Sequence, residues 1–198
     1  MNPLEDVLRA AVRDLADLRL QWALVGGLAV SARTEPRFTR DIDLAITVPG
    51  DANAEQAVAT LQRRGYRILA LVEQVAANRL ATARLVPAGE DETGIVLDVL
   101  FASSGIEPEI VEAAETLEIL PGLRVPVAGV GHLLPLKLLS RDDRTRPQDR
   151  VDLTALLRVA TPADIDEARR GAALIHARGF QRNRDLSRDL EQLIAHGV

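Results

Sequence analysis

The chain has 198 residues, of which 47% are hydrophobic, and a formal net charge of −5. This composition can bury a core in one domain or two small lobes. The negative charge argues against sequence-blind wrapping of nucleic acid by the whole surface and leaves a local basic patch open. The absence of cysteine excludes disulfide bonds and thiolate metal sites. The acidic start and the lack of an apolar stretch of membrane length predict a soluble cytoplasmic protein with no membrane association.

The first half of the chain is predicted to begin with a helix and to continue as strands joined by turns, with one further helix between the strands. Apolar residues recur at helical spacing from Leu4 to Leu18, and a short buried strand follows over Trp22 to Val25. We expect the next strand over 41–47 and a helix over 51–64 with Asp51 as its N-cap. Three further strands are expected at 66–72, 78–86 and 95–101, separated by turn-rich segments.

The second half of the chain is predominantly helical. A short helix is predicted over 107–114, strands over 117–120 and 124–127, and helices over 131–140, 147–158, 162–178 and 185–196. This change of periodicity predicts an α/β lobe at 1–128 and a helical lobe at 129–198. The fold class is therefore α+β, a mixed sheet with flanking helices followed by a C-terminal helical lobe.

A glycine pair and an acid pair lie on consecutive predicted elements. Gly26 and Gly27 end the first apolar strand, where residues without Cβ let the backbone turn sharply and present N–H groups to an anion. Asp41 and Asp43 are two residues apart on the next strand and so share one face. Because adjacent carboxylates repel each other, this face favours a divalent cation.

A third acid interrupts an otherwise apolar strand. Asp98 lies within Gly94-Ile-Val-Leu-Asp-Val-Leu-Phe101, where a buried charge is costly unless another group compensates it. A metal ion shared with the acid pair would compensate it, whereas the alternative is a strand-end carboxylate that faces water. A glycine pair alone is also typical of an ordinary turn. The order of turn, acid pair and third acid, each in a strand-like context, favours the metal site.

A second group of charges follows in the helical part. Lys137, Arg141 and Arg144 are spaced by four and three residues, so a continuous helix would carry them on one face, either as a binding surface or as a solvated stripe. Lys137 lies in an apolar run, and a buried lysine needs an anion, for which a nucleotide phosphate is suitable. Pro135 is expected to kink or shorten this helix.

Two carboxylates, Asp149 and Asp152, are one helical turn apart on the following helix. They could orient Lys137 or an acceptor group, or they could pair with Arg146 or Arg150 on their own helix. The spacing alone leaves both alternatives open.

These residues together resemble the DNA polymerase β-type nucleotidyltransferase superfamily, through Gly26-Gly27, Asp41-Ile42-Asp43 and Asp98. The chain resembles the AbiEii/MenT-type toxin nucleotidyltransferases more closely, because Arg37 and Thr39 precede the acid pair. Lys137, followed by Asp149 and Asp152, is similar to a second motif of that family. The resemblance covers about residues 22–157. Gly27 stands where many superfamily members have serine, so backbone N–H groups would replace a hydroxyl contact.

The resemblance implies a nucleotidyltransferase-like fold and the transfer of an NMP from an NTP to an acceptor hydroxyl. The implied acceptor is a tRNA 3′ end, the implied role is that of a toxin with an antitoxin partner, and the implied cofactor is Mg²⁺. Transfer to a protein or small molecule, and a non-catalytic nucleotide-binding module, are the alternatives. The residues to which it assigns roles are Asp41, Asp43 and Asp98 (metal and catalysis), Lys137 (catalysis and nucleotide), Gly26, Gly27, Arg37, Thr39 and Arg40 (nucleotide), and Asp149, Asp152 and Arg144 (support).

Overall fold

A computed structural model describes residues 3–74, 79–91, 94–142 and 147–196. Within these ranges the elements are α1 (Pro3–Asp17), β1 (Gln21–Val25), α2 (Gly26–Arg33), β2 (Asp41–Thr47), α3 (Asp51–Arg63), β3 (Arg67–Gln74), β4 (Arg79–Val86), β5 (Val96–Leu100), α4 (Glu107–Glu112), β6 (Glu115–Leu120), β7 (Leu123–Val127), α5 (Val130–Ser140), α6 (Gln148–Val159), α7 (Pro162–Ala177) and α8 (Leu186–His196). The predicted α+β class with a mixed sheet and C-terminal helices is confirmed.

All the strands of the described ranges form one sheet in the order β3-β4-β5-β2-β1-β7-β6. β2 pairs parallel with β5 and antiparallel with β1, and β1 pairs parallel with β7. The outer pairs, β3 with β4 and β6 with β7, are antiparallel hairpins. The central position of β2 and β5 places both predicted acidic strands side by side.

The core lies beneath β2 and β5 and continues into the C-terminal helices. On β2, Ile42, Leu44 and Ile46 are fully buried while Asp41 and Asp43 are half-buried, as alternation along a strand requires. The buried apolar cluster includes side chains of this sheet and of α5 to α8. The division into lobes at 128/129 stays a prediction.

Two details of the helices, the N-cap of α3 and the effect of Pro135 on α5, differ from the sequence expectation. Gly50, not Asp51, is the N-cap of α3, and Asp51 Oδ1 instead accepts a hydrogen bond of 2.6 Å from the N–H of Leu80. Pro135 lies inside α5 without shortening it, because the helix continues to Ser140.

The predicted common helical face of Lys137, Arg141 and Arg144 is wrong for Arg141. α5 ends at Ser140, and Arg141 is its C-cap with extended backbone, so the spacing of four no longer aligns the two side chains. Arg144 lies outside the described residues. No helix in the part of the chain that the structure describes has both the length and the apolar character needed to span a bilayer.

Candidate active site

The acidic residues meet through strand register. Asp43 on β2 is directly opposite Asp98 on β5 in the parallel pair, and Asp98 is directly opposite Arg84 in the antiparallel pair with β4. Side chains at paired positions point to the same face of a sheet, so these three form one row across three strands. Asp41 lies two residues before Asp43 on the same face. The sheet therefore brings together the three predicted carboxylates and adds a cation.

The Gly26 turn packs against this row. Gly26 has φ +62°, in the left-handed region, and it joins β1 directly to α2. A Cβ at Gly26 would lie 1.9 Å from Asp43 Oδ2, so the carboxylate occupies the space that any other residue would fill. The start of α2 is also electrostatically favourable for a carboxylate, because helix N-termini carry a partial positive charge. Glycine at this position is thus required by both backbone conformation and close approach.

Arg84 bridges two of the acids. Its Nη2 lies 3.2 Å from Asp41 Oδ1, and its Nε lies 3.7 Å from Asp98 Oδ1. Asp98 is 17% exposed and Asp41 46% exposed, so the row opens to solvent on the Asp41 side. Among the described residues, no three His, Asp or Glu side chains are grouped closely enough to hold a metal ion by themselves. The guanidinium of Arg84 offsets part of the negative charge of this face.

Lys137 and Arg37 converge on one buried carboxylate. Asp152 Oδ2 lies 2.7 Å from Lys137 Nζ, and Asp152 also accepts two hydrogen bonds from Arg37, from Nε at 2.6 Å and from Nη2 at 2.7 Å. Asp149 Oδ1 accepts a further bond of 3.1 Å from Lys137. Both acids contact Lys137, which is one of the alternatives that their spacing in the sequence left open. The anion that compensates this buried lysine is therefore a carboxylate pair.

The buried cluster of Arg37, Lys137, Asp149 and Asp152 links the two halves of the chain. Burial raises the pKa of Asp152, but the hydrogen bonds from Arg37 and Lys137 outweigh it and hold the pKa below the usual value. Asp152 is consequently ionised at neutral pH. The cluster fixes the segment before β2 to helices α5 and α6.

The segment before β2 carries the remaining predicted nucleotide-binding residues. A Cβ at Gly27 would lie 2.7 Å from Arg37 Nη2 and 3.2 Å from Thr39 Oγ1, so both side chains surround the glycine turn. Thr39 Oγ1 accepts a hydrogen bond of 3.3 Å from the N–H of Asp41. Arg40 is exposed, and its guanidinium carbon lies 5.7 Å from the ring centre of Phe38. Thr39 thus orders the start of β2, while Arg40 and Phe38 face solvent.

Sequence reasoning missed Arg84, although a signal for it existed. Arg84 is a single cation inside the mainly apolar run from Leu80 to Val86, as Asp98 is a single anion inside its own strand. Such a lone charge marks Arg84 as a candidate for a pair across the sheet, but the partner depends on the order of the strands, which the sequence does not give. Phe38 was also missed, and nothing in its sequence neighbourhood signals an exposed ring.

Two arginines away from the acidic row, Arg33 and Arg178, are engaged in contacts within the chain. Arg33 donates to the carbonyls of Val127 and Ala128, and Arg178 pairs with Glu109 at 2.7 Å. The contacts of Arg33 join α2 to the end of β7, and the contact of Arg178 joins the end of α7 to α4, so the two side chains are structural. Arg144 and Arg146 lie outside the described residues.

Two cavities of the described chain lie away from the acidic row. They measure about 570 and 690 Å³, and both are lined by Gln21 and Thr47, at the ends of β1 and β2 opposite to Val25 and Asp41. Neither of these two cavities is lined by the predicted site residues.

The sequence matches a family model along nearly its whole length. The model is described as "Nucleotidyl transferase AbiEii toxin, Type IV TA system", and the match covers residues 7–196. No match was found among curated proteins.

Solved structures with a similar fold are nucleotidyltransferases or resemble them. An antigenic nucleotidyltransferase-like protein from Paracoccidioides brasiliensis is 22% identical, with 95% of this chain and 92% of that chain covered and a TM-score of 0.52. ANT(2″)-Ia, solved with adenylyl-2″-tobramycin, is 18% identical, with 94% and 96% covered and a TM-score of 0.51. MenT4, a nucleotidyltransferase toxin from Mycobacterium tuberculosis, is 19% identical, with 76% and 54% covered and a TM-score of 0.41, too low to carry an argument. The first two show a shared fold.

Proposed function

The chain belongs to the AbiEii family of nucleotidyl transferase toxins of type IV toxin–antitoxin systems, and we propose that it transfers an NMP to a tRNA 3′ hydroxyl in a reaction that needs Mg²⁺. Family membership makes the protein a nucleotidyltransferase, with an NTP as substrate and an antitoxin as partner. The acceptor, the metal and the roles of individual residues belong to the proposal.

The observation that carries the proposal is the pairing of Asp43 with Asp98 beside the Gly26 turn. These two acids on neighbouring strands, next to a glycine turn, provide a negatively charged face beside backbone N–H groups at the start of a helix. Nucleotidyl transfer needs both, because a polyphosphate must be held while charge develops on the attacking and leaving oxygens.

The donor set fits a divalent cation. Asp41, Asp43 and Asp98 offer hard carboxylate oxygens, which suit Mg²⁺, and the Gly26 turn leaves the Asp43 carboxylate room that a Cβ would take. These three residues would hold the ion, which would offset charge on the nucleotide phosphates.

The remaining side chains supply binding and proton transfer. The acceptor oxygen forms a bond to the α-phosphorus, the bond from that phosphorus to the pyrophosphate oxygen breaks, and Asp98 takes the hydroxyl proton. Gly26 and Gly27 hold the β- and γ-phosphates through backbone N–H groups. Lys137, held by Asp149 and Asp152, would offset charge on the departing pyrophosphate, and Arg37, whose Nη2 lies 2.7 Å from the position of a Cβ at Gly27, would contact the nucleotide phosphates there.

A single-stranded RNA end suits the exposed surface beside the acids. Phe38 is 80% exposed and lies three residues before Asp41, with Arg40 over its ring. Proteins recognise unstacked RNA bases by stacking them on aromatic rings and arginine planes. We therefore assign the terminal base of the acceptor to Phe38 and Arg40, while Arg40 also attracts the RNA backbone.

The test is transfer of label from each of the four α-³²P-labelled NTPs into total tRNA, total protein or small molecules, with and without EDTA. The variants are Asp43→Asn, Phe38→Ala and, as a control, Asp166→Asn, an exposed carboxylate on α7. Asp43→Asn should lower the rate of labelling by about 10²-fold or more, because a misplaced metal ion or phosphate costs about that factor in rate. Phe38→Ala should raise the KM for tRNA and leave the KM for the NTP unchanged.

Each outcome decides one part of the proposal. Label in tRNA that EDTA abolishes supports the acceptor and the metal. Label in protein or small molecules alone refutes the tRNA acceptor, and labelling that persists in EDTA refutes the metal requirement. Full activity of Asp43→Asn in the folded protein refutes the assignment of the site.

A further inference from the structure

Arg84 lies between two of the carboxylates to which the proposed function assigns the divalent cation. Its guanidinium contacts Asp41 at 3.2 Å and Asp98 at 3.7 Å, and it stands opposite Asp98 in the strand register. No step of the proposed reaction uses this residue. A cation placed permanently between two metal-binding carboxylates would repel the metal.

The charges of the row make this competition strong. The guanidinium offsets one of the three negative charges of the carboxylates, so it weakens the attraction of the row for a divalent ion. A divalent ion that entered between these carboxylates would be repelled by the guanidinium, because like charges close together in a partly buried site repel each other strongly. The row can therefore accept the ion fully only after the guanidinium has moved.

The surroundings of Arg84 allow that movement. The side chain is 41% exposed, and Asp41, its nearer partner, is 46% exposed. Arg84 lies on β4 with its charged end at the solvent-facing edge of the acidic row. Planar guanidinium groups bind phosphate oxygens in a bidentate manner, so the polyphosphate of an incoming nucleotide offers an alternative partner.

We propose that Arg84 is a displaceable cation: it neutralises Asp41 and Asp98 before the nucleotide binds, and it transfers to the nucleotide phosphates when the divalent ion enters. This inference rests on the proposed metal-dependent function. It makes metal and nucleotide binding cooperative, with weak metal binding to the nucleotide-free protein. Arg84 is thus a positioning residue that restricts metal loading to the nucleotide complex.

The experiment measures Mn²⁺ binding directly, by the electron paramagnetic resonance signal of free Mn²⁺. Mn²⁺ is titrated into wild-type protein, Arg84→Gln, Arg84→Lys and the control Arg79→Gln, which removes the same charge from the same strand five residues away. Each titration is run alone and with α,β-methylene analogues of the four NTPs. Thermal melting of every variant verifies that it is folded.

Without nucleotide, Arg84→Gln should bind Mn²⁺ about tenfold or more tightly than wild type, because each 1.4 kcal/mol of relieved repulsion changes affinity tenfold. Arg84→Lys and Arg79→Gln should resemble wild type. With the analogue, wild type should gain affinity for Mn²⁺ and Arg84→Gln should gain less. Equal Mn²⁺ affinity of wild type and Arg84→Gln without nucleotide would overturn the inference while leaving metal dependence intact. Failure of every variant to bind Mn²⁺ even with nucleotide would instead refute the metal site itself.

Discussion

Removing the Asp152 carboxylate should destabilise the protein strongly. Asp152→Asn keeps the size of the side chain but deprives Arg37 of a bidentate partner and Lys137 of its 2.7 Å contact. Asp152 is 1% exposed, so water cannot replace the lost charge. Lys137 would then keep its contact with Asp149, and Arg37 would keep its hydrogen bond to the carbonyl of Phe38.

The magnitude follows from this burial. Breaking a buried ion pair by removing one partner costs about 3–5 kcal/mol, because the remaining charge stays buried. For a protein of this length that corresponds to a fall in Tm of about 6–20 °C. Asp149→Asn removes the charge from the 3.1 Å contact with Lys137 and should cost about 1.5–3 kcal/mol. Asp166→Asn, on an exposed pair with Arg169, should cost about 0–1 kcal/mol.

The assay is urea unfolding at pH 7, followed by far-UV circular dichroism and by the fluorescence of Trp22, the single tryptophan. We expect the order Asp152→Asn, Asp149→Asn, Asp166→Asn from the largest to the smallest loss. If Asp152→Asn loses no more stability than Asp166→Asn, the cluster does not connect the segment before β2 to α5 and α6, and the reasoning is refuted.

Two further predictions concern other parts of the molecule. Gly26→Ala should lose about 10²-fold in transfer activity, because its Cβ would displace the Asp43 carboxylate. The control is Gly122→Ala, at a similar φ of +69° but with no atom near the added Cβ. It should lose about 1–2 kcal/mol of stability and no activity. Burial lowers the pKa of His132 more than Glu167 raises it, so its contribution to stability is complete above about pH 6.5 and is lost as the pH falls through the lowered pKa. Urea unfolding of wild type should therefore show a loss below pH 6.5 that His132→Gln reduces, and an identical pH profile of the two proteins would contradict it.

Local signals predicted most of the elements and the acidic strands. Hydrophobic periodicity located the helices and strands to within a few residues, because buried positions recur at 3.6 or 2 residues along one element. The alternation Asp41-Ile42-Asp43 predicted correctly which side chains leave the core. The end of α5 at Ser140 was also predicted correctly, and the continuous helix that would align Arg141 with Lys137 does not form.

Pairing across distant segments could not be obtained from one sequence. The assignment of Asp149 and Asp152 to Lys137, rather than to arginines of their own helix, depends on how α5 packs on α6. The contact of Arg37 with Asp152 joins residues 115 positions apart, and no periodicity connects them.

The amino-acid order alone thus determined which residue types occur on which face of each element, and with them the chemistry of a glycine turn followed by acids. The three-dimensional packing decided which charges meet, because strand register and helix docking set distances between segments that no local pattern encodes. Arg84 is the plainest instance, since only the order β4-β5-β2 in the sheet places its guanidinium against Asp98 and Asp41.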